Sequence, residues 1–562
     1  MKQQWFWLFF AGLSALIGVS VSQVQAQEQY VTIALPTFAE ALVDEAVVDD
    51  FEALYGVQVE FIYDFNPPSA SSAPQNVDAI EDYVETVEDY MSAADVIIVD
   101  TFLNPEITRA GYALDLAPLV SADSAMNPND FYTAAWNSFM WDAGMWAVPI
   151  ASEPILIDYN IEAFDAAGLS YPNESWTIDD FAFAARELTQ YDENGEVSLP
   201  GMLLSATEVT VLLRAIIDTG FYDPLAFPET PYFNNPQLAD ALDIWTELLA
   251  DGVVRVGGGD GFGNLSDDIG IQMGSGGDFT VSFVDDEGNE TVGGTTIEDD
   301  APERGLAQLP GGNTIVLTTG LSISSGTTIP DMAYNLVRFL SESQTFADLV
   351  IGSEPARRQY FTESAEGGSL VFDFGSNRTE AELALINDVM DNGLPTAELR
   401  FSQYLNAALT DVQTGVNDSV SALQEAELDA LETVQAMDDL EINITVTSGI
   451  PVQVGEGQVA IEFGIQSFVT PLPNEAEWDE AIAEFVASDP QVGAVDLDLI
   501  NIATSLLGGN TETYDCTYYP NTLFINIDTE LLLAVDPLLF SDPNYNVGDL
   551  PFGALEMVQV NG

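Results

Sequence analysis

Apolar and polar residues alternate in blocks along the first hundred positions, and the blocks predict strands separated by helices. Between 46 and 54 the apolar residues fall on one stripe at helical spacing. Gly56 follows that stripe, where a glycine commonly ends a helix. The segment 66–75 is rich in Pro, Ser and Ala and predicts a loop. The predicted strands are 30–35, 57–63 and 95–99, and the predicted helices are 46–55 and 77–91.

Helical spacing dominates the region that follows. Thr177 is a good N-cap, and Asp180 three residues later completes a capping-box pattern. Trp176 is therefore expected to pack at this cap, and Trp245 to lie in the core. The helices predicted here are 178–188, 207–219, 236–251, 330–341, 380–392 and 402–438.

Strands that alternate with helices predict an α/β fold around a mainly parallel sheet. In such sheets ligands bind at the carboxyl ends of the strands. The loops 36–40 and 100–104 are therefore the expected edge of a site. The glycines at 257–263 and 274–277 lack the Lys-Ser/Thr of a nucleotide loop.

The charge balance narrows the classes of partner. The chain has 92 Asp and Glu residues against 11 Lys and Arg, a formal net charge of −81 at pH 7. A surface this negative repels nucleic acid and anionic lipid headgroups, so neither is an expected partner. The acids are spread along the chain, which favours solubility in an acidic or saline medium over a field that attracts cations.

Two missing residue types exclude several kinds of catalytic and metal site. The chain has no His and a single Cys, Cys516. His-based triads, His-rich zinc sites, an internal disulfide and a CxxC motif are therefore excluded. No cofactor and no metal is expected.

The N-terminus resembles an export signal. Lys2 precedes an apolar stretch at 5–21, and Val24 and Ala26 fit the small-residue pattern of a signal peptidase site. A retained membrane anchor is the alternative, because the stretch is nearly long enough to span a bilayer. We expect residues 1–26 to be a signal peptide and the protein to be secreted, extracellular or periplasmic, and associated with the cell envelope by unknown means.

From Ala94 onward the chain resembles the family 1 bacterial extracellular solute-binding proteins, the maltose-binding-like subunits of ABC importers. Six pieces stand in the family's order, and the resemblance covers about residues 29–438. The pieces are ADVIIVD (94–100), GYALDLAPLVSAD (111–123), GMWAVPIASEPILIDYNIEAFDAAGL (144–169), WTIDDFAFAARELT (176–189), GLAQLPGG (305–312) with GLSISSGTTIPDMAYNLVRFL (320–340), and PARRQYF (355–361).

The resemblance implies an α/β periplasmic-binding-protein fold, with two lobes that close by a hinge over a ligand at 27–438. It implies a monomeric, non-enzymatic protein that captures a sugar or oligosaccharide and delivers it to ABC permease subunits.

The resemblance also indicates where a ligand would bind. Aromatic faces and fixed polar groups suit a sugar, and Glu153, after Pro149, is the best polar candidate. A core position is the alternative for each of the three clustered Trp residues. The candidate ligand-binding residues are Phe38, Glu40, Asp100, Trp136, Trp141, Trp146, Glu153, Gly276, Gly277 and Asp278.

The sequence of residues 439–562 is similar to that of the start of the first lobe. LLAVDPLLFSDPNY (532–545) resembles ALDLAPLVSADSAM (113–126), and QVAIEFGI (458–465) resembles YVTIALP (30–36). We expect 439–562 to be a truncated second solute-binding-like lobe with a parallel sheet. An all-β module is the rival, favoured by the β-branched residues of 442–454 and 522–527.

Two other functional classes stay open. A secreted glycoside hydrolase would use a pair of carboxylates, and 92 acids make any such pair uninformative. An envelope or surface protein that binds carbohydrate or has a structural role, without transport, is the other alternative, suggested by the acidity and the tandem layout.

Overall fold

The structure is a computed structural model. The predicted signal peptide lies outside the residues it describes, which are 30–36, 39, 43, 45–63, 67–68, 73–100, 102–217, 220–223, 230–256, 269–274, 279–284, 290–293, 303–347, 353–361, 370–374, 378–395, 397–438, 440, 442, 444–446, 454, 458–467, 475–501, 514–518, 533 and 535.

The described strands and helices alternate over most of the chain. The strands are β1 Tyr30–Ala34, β2 Gln58–Ile62, β3 Val96–Val99, β4 Met140–Trp141, β5 Gly144–Met145, β6 Val148–Pro154, β7 Leu156–Asn160, β8 Gln190–Tyr191, β9 Val197–Leu199, β10 Met202–Leu204, β11 Tyr222–Asp223, β12 Thr230–Pro231, β13 Val254–Val256, β14 Ile271–Gly274, β15 Phe279–Val284, β16 Glu290–Gly293, β17 Arg304–Ala307, β18 Val316–Ile323, β19 Glu354–Pro355, β20 Leu370–Phe374, β21 Val459–Ser467, β22 Val492–Asn501 and β23 Cys516–Tyr518. The α-helices are α1 Asp49–Tyr55, α2 Ile80–Ser92, α3 Pro105–Ala110, α4 Ala117–Ala122, α5 Thr133–Asn137, α6 Ile161–Ala167, α7 Ile178–Leu188, α8 Ala206–Ile216, α9 Pro236–Ala250, α10 Pro330–Ser341, α11 Gln344–Ala347, α12 Glu380–Asn392, α13 Ser402–Thr414, α14 Ser419–Asp438 and α15 Glu475–Ser488.

A six-stranded sheet forms the centre of the first lobe. Its strand order is β19-β6-β18-β3-β1-β2. β1 pairs in parallel with β2 and β3, whereas β18 pairs antiparallel with β3 and β6. The strands β1 and β3 are buried on both faces because helices such as α1, α2 and α10 cover the sheet.

A five-stranded sheet forms the centre of the second lobe, in the order β13-β10-β14-β7-β17. β10 pairs in parallel with β13 and β14, while β7 pairs antiparallel with β14 and β17. Its separate core includes Trp245, which has no exposed surface, so the predicted core position is confirmed.

The chain passes between the two sheets at three adjacent positions, Ile155, Ile315 and Leu394. The Ile155 amide donates to the Ile315 carbonyl over 2.9 Å, and the Leu394 amide donates to the Thr314 carbonyl over 2.8 Å. The Val316 amide donates to the Leu394 carbonyl over 3.0 Å. Three hydrogen-bonded crossing segments between two separate cores form a hinge of the kind that allows rigid lobes to rotate.

Most predicted helices lie where their periodicity placed them, with two corrections. The predicted helix 402–438 is wrong as one element, because Gly415 takes a left-handed φ of 71° and ends α13 before α14 begins. Leu54, at the end of the apolar stripe of the first predicted helix, is 70% exposed, whereas Phe51 on the same stripe is buried. The Thr177–Asp180 capping box is confirmed, and Trp176 packs beside it against Phe181.

The described part of the C-terminal region contains a parallel sheet, as predicted. β21 pairs in parallel with β22 and with β23, in the order β22-β21-β23. The helix α15 connects β21 to β22, so this part is α/β. The first lobe has the same arrangement in β2-β1-β3. Common descent of the two parts stays a prediction, and the segment 522–527 lies outside the described residues.

Candidate functional site

Glu153 lies where the first lobe meets the hinge. It is the sixth residue of β6, pairs across the sheet with Leu317, and precedes the crossing residue Ile155 by two positions. Its side chain is partly buried, and it accepts no hydrogen bond from another residue in the described part of the chain. A partly buried carboxylate without a donor is available to a ligand hydroxyl.

Glu208 belongs to the second lobe and acts electrostatically on Glu153. It is the third residue of α8, where its carboxylate accepts a 2.6 Å hydrogen bond from the Ser205 amide and so closes a capping box. Burial, together with the negative charge of Glu208, raises the pKa of Glu153 to about 7. Burial also raises the pKa of Glu208, although the hydrogen bonds from Ser205 act in the opposite direction. The two lobes therefore bring two carboxyl groups near each other, and Glu153 is partly protonated at neutral pH.

Asp100 follows the last residue of β3, at the carboxyl edge of the first sheet. Its Oδ1 accepts a 3.0 Å hydrogen bond from the Phe102 amide, and its side chain is partly exposed. Residues at this edge face the crevice in which α/β sheets bind ligands.

The three clustered tryptophans belong to the first lobe, Trp136 within its core and Trp141 and Trp146 packed against it. Trp136 on α5 is 9% exposed and packs against Phe131, with ring centroids 4.9 Å apart. Trp141 and Trp146 are partly buried and stack with centroids 6.5 Å apart. The indole N–H groups of both stacked rings already donate hydrogen bonds, that of Trp141 to Thr108 Oγ1 and that of Trp146 to the Trp141 carbonyl. Their remaining exposed surface is the only part of these rings that a ligand can reach.

A tight hairpin holds two of these rings in place. β4 and β5 are joined by Asp142 and Ala143, both with positive φ, at 52° and 61°. Two successive positive φ values are typical of the hairpin turns that match strand twist. Arg109 on α3 fixes the turn through a 2.7 Å contact with the Asp142 carboxylate.

The other five predicted site residues belong to two short segments of the chain. Phe38, Glu40, Gly276, Gly277 and Asp278 lie outside the described residues.

A second polar contact between the lobes was not predicted. Glu106, the second residue of α3, lies 3.0 Å from Arg400 Nε, and both side chains are 5% exposed. Nearby, the Tyr404 hydroxyl of the second lobe donates to the Pro74 carbonyl over 2.6 Å. Two sequence patterns could have drawn attention to these acids. Glu106 follows Asn104 and Pro105, which are typical of a helix start, and Glu208 completes a capping box with Ser205.

Other kinds of site find no support within the described residues. No group of three or more acidic or Cys side chains is arranged to hold a metal ion there. Among the same residues, no helix is long and apolar enough to cross a bilayer. A groove of about 640 Å³ lies between α9, β13 and α13, and no candidate residue lines it.

Comparison with known proteins confirms the resemblance seen in the sequence. Residues 36–208 match the family described as bacterial extracellular solute-binding protein. No curated protein matches the chain.

Solved structures confirm the two-lobed α/β fold. An ABC substrate-binding protein from Listeria monocytogenes in complex with cycloalternan is 17% identical, with a TM-score of 0.50, over 73% of this chain and 100% of that one. An ABC transporter solute-binding protein from Thermotoga lettingae, bound with alpha-D-tagatose, is 15% identical with a TM-score of 0.50, over 72% and 100% of the two chains. A solute-binding protein from Agrobacterium radiobacter in complex with ribitol is 16% identical, also at 0.50, over 72% and 98%.

Proposed function

We propose that this chain is the extracellular substrate-binding component of an ABC importer and captures a sugar or oligosaccharide between its two lobes. The observation that carries the proposal is the placement of Glu153 and Glu208 on opposite lobes beside a three-segment hinge. Similar proteins of this fold bind cycloalternan, tagatose and ribitol, all of which are neutral polyhydroxyl compounds.

The chemistry of the pair suits a neutral polyol. A protonated Glu153 both donates and accepts, which matches a sugar hydroxyl, and a ligand hydroxyl placed between the lobes would separate two repelling carboxyl groups. The remaining candidates, Asp100 and the exposed surface of Trp141 and Trp146, would add an acceptor and an apolar face. A substrate carboxylate or phosphate would be repelled by the same groups.

The proposal includes the organisation and partners of the protein. Residues 27–438 would be the binding unit, residues 1–26 a signal peptide, and residues 439–562 a truncated second lobe. The binding unit would be a monomer that delivers its ligand to permease subunits at the cell envelope and catalyses no reaction.

A thermal-shift screen with ribitol, tagatose, mannobiose and cycloalternan tests the binding function. A ligand at about a hundred times its dissociation constant should stabilise the folded state by about 2.7 kcal/mol. At pH 8, where Glu153 is mostly ionised, Glu153→Gln should weaken that binding by about 1–3 kcal/mol, because a charged acceptor is lost from a partly buried site.

Glu187→Gln is the matched control, since Glu187 is exposed on α7, away from the hinge. Unchanged affinity in a folded Glu153→Gln variant would move the site elsewhere. Turnover of an oligosaccharide during incubation would replace the binding function with hydrolysis.

A further inference from the structure

After α14 the chain returns from the second lobe to the first. The buried residues of α14 as far as Val434 belong to the second core, whereas Met437 belongs to the first. Leu440, Ile442 and Ile444 then pack against the first core. We call this returning segment the strap, and its described residues are Met437, Asp438, Leu440, Ile442 and 444–446.

Backbone hydrogen bonds attach the strap to the first lobe. The Ile442 amide donates to the Ala110 carbonyl over 3.0 Å, and the Val446 amide donates to the Gly326 carbonyl over 3.2 Å. Asp438 and Arg109 add a 3.1 Å ion pair. The strap is therefore a fourth connection between the lobes, made in addition to the three hinge segments.

The strap is attached far from the hinge. Ile315 at the hinge precedes β18, and Gly326 follows its other end. Eight residues of extended chain span about 26 Å, so the two attachment points are separated by at least the length of that strand. A connection at this distance from the rotation axis resists opening much more than one at the hinge itself.

The Glu106–Arg400 pair is a further contact between the lobes. Arg400 is flanked by Leu399 and Phe401 of the second core, whereas Glu106 lies beside Ile107 of the first. Opening the lobes must separate the two charges. A buried pair adds little net stability, but removing one partner leaves an uncompensated buried charge.

We propose that the strap and the Glu106–Arg400 pair form a clamp that limits how far the two lobes can separate. Wider separation then requires the strap to leave the Ala110 and Gly326 positions. If the proposed binding function is right, the clamp sets the width of the entrance through which ligand passes.

Spin-label distance measurements on the full-length protein test the clamp without any ligand. Labels on Thr86 of α2 and Glu187 of α7, both exposed, report the separation of the lobes when Cys516 is replaced by Ser. Gly326→Leu should displace the strap from the first lobe, because a Cβ at this position would lie 2.9 Å from the backbone of Ile444 and Val446. The unsubstituted clamp should give one narrow distance distribution, and Gly326→Leu should shift it by several Å to longer distances.

Ser325→Leu is the control, since it adds the same side chain at the exposed neighbouring position. If Gly326→Leu does not fold, Ile442→Asp replaces it as the test variant, because it removes an apolar contact of the strap with the first core. The clamp is refuted if the folded test variant has the same distance distribution as the unsubstituted protein. It is also refuted if Ser325→Leu lengthens the distance as much as the test variant does. Failure of the binding function would instead appear as absence of sugar stabilisation, with this distance result unaffected.

Discussion

At the scale of single residues, Glu153 has a property that its sequence position did not indicate. The resemblance to solute-binding proteins marked it as a polar candidate, and the raised pKa follows from its surroundings. Burial beside the hinge and a carboxylate from the other lobe both oppose ionisation. Neither cause can be read from the sequence, because Glu208 lies 55 positions away in the chain and approaches only after both lobes have folded.

The raised pKa of Glu153 predicts a pH-dependent difference between the wild type and Glu153→Gln. Between the ordinary value of 4.5 and about 7, the folded state binds more protons than the unfolded state, so stability falls as the pH rises. The ionisation penalty is complete above pH 7 and absent in the Gln variant. The free energy of unfolding of Glu153→Gln, relative to that of the wild type, should therefore rise by about 2–3 kcal/mol between pH 5 and pH 8.

Urea unfolding at the two pH values measures this gain. Glu187→Gln serves again as control and should show no pH-dependent difference from the wild type. An equal stability difference between wild type and Glu153→Gln at pH 5 and pH 8 would mean that Glu153 ionises normally in the folded protein.

At the scale of elements, sequence periodicity located most helices, and local chemistry located their ends. α7 begins at the predicted capping box, and Gly56 ends α1 in a left-handed conformation. Periodicity continued through Gly415, however, and so predicted one helix where the structure has α13 and α14. α14 leads to the strap, whose contacts with the first lobe are long-range in sequence and leave no periodic signal.

The β4–β5 hairpin was not predicted as a hairpin, and its turn is strained. Ala143 has a φ of 61°, a conformation that costs a residue with a Cβ about 1–2 kcal/mol. Ala143→Gly should therefore stabilise the first lobe by about 0.5–1 kcal/mol after the entropy of Gly in the unfolded chain is subtracted.

Thermal or urea unfolding checks the Ala143→Gly prediction. Gly144→Ala is an informative contrast, because a Cβ there would lie 2.8 Å from the Trp146 ring and should destabilise the hairpin. A destabilised Ala143→Gly variant would show that the turn is held by the Ala143 methyl group and not strained by it.

At the scale of the whole molecule, the two-lobed fold could be predicted from the sequence, whereas all the ligand-binding residues remain predictions. The order of the pieces that resemble solute-binding proteins indicated two lobes, and the crossings at Ile155 and Ile315 fall within or beside those pieces. Phe38, Glu40 and the glycines before Asp278 remain predictions. The contacts that join the lobes, Glu106 with Arg400 and the strap with the first sheet, depend on tertiary packing alone.

The net charge of −81 makes a prediction about the whole chain. Most acidic side chains have no basic side chain to pair with, because the chain has 92 acidic and 11 basic residues. Folding brings these unpaired negative charges closer together and so increases their repulsion. Salt screens this repulsion, with a screening length that falls from about 10 Å at 0.1 M to about 3 Å at 1 M. Raising KCl from about 0.1 M to 2 M should therefore raise the thermal unfolding midpoint at pH 7.

The same measurement at pH 4 separates charge screening from a general effect of salt on burial. Protonation near this pH neutralises many of the exposed carboxylates, so the repulsion that salt can screen is smaller. The rise in midpoint should consequently shrink at pH 4 if screening is the cause. An equal rise at both pH values would assign the effect to salting-out of apolar surface, and no rise at pH 7 would mean that the spread of the acids already keeps their repulsion low.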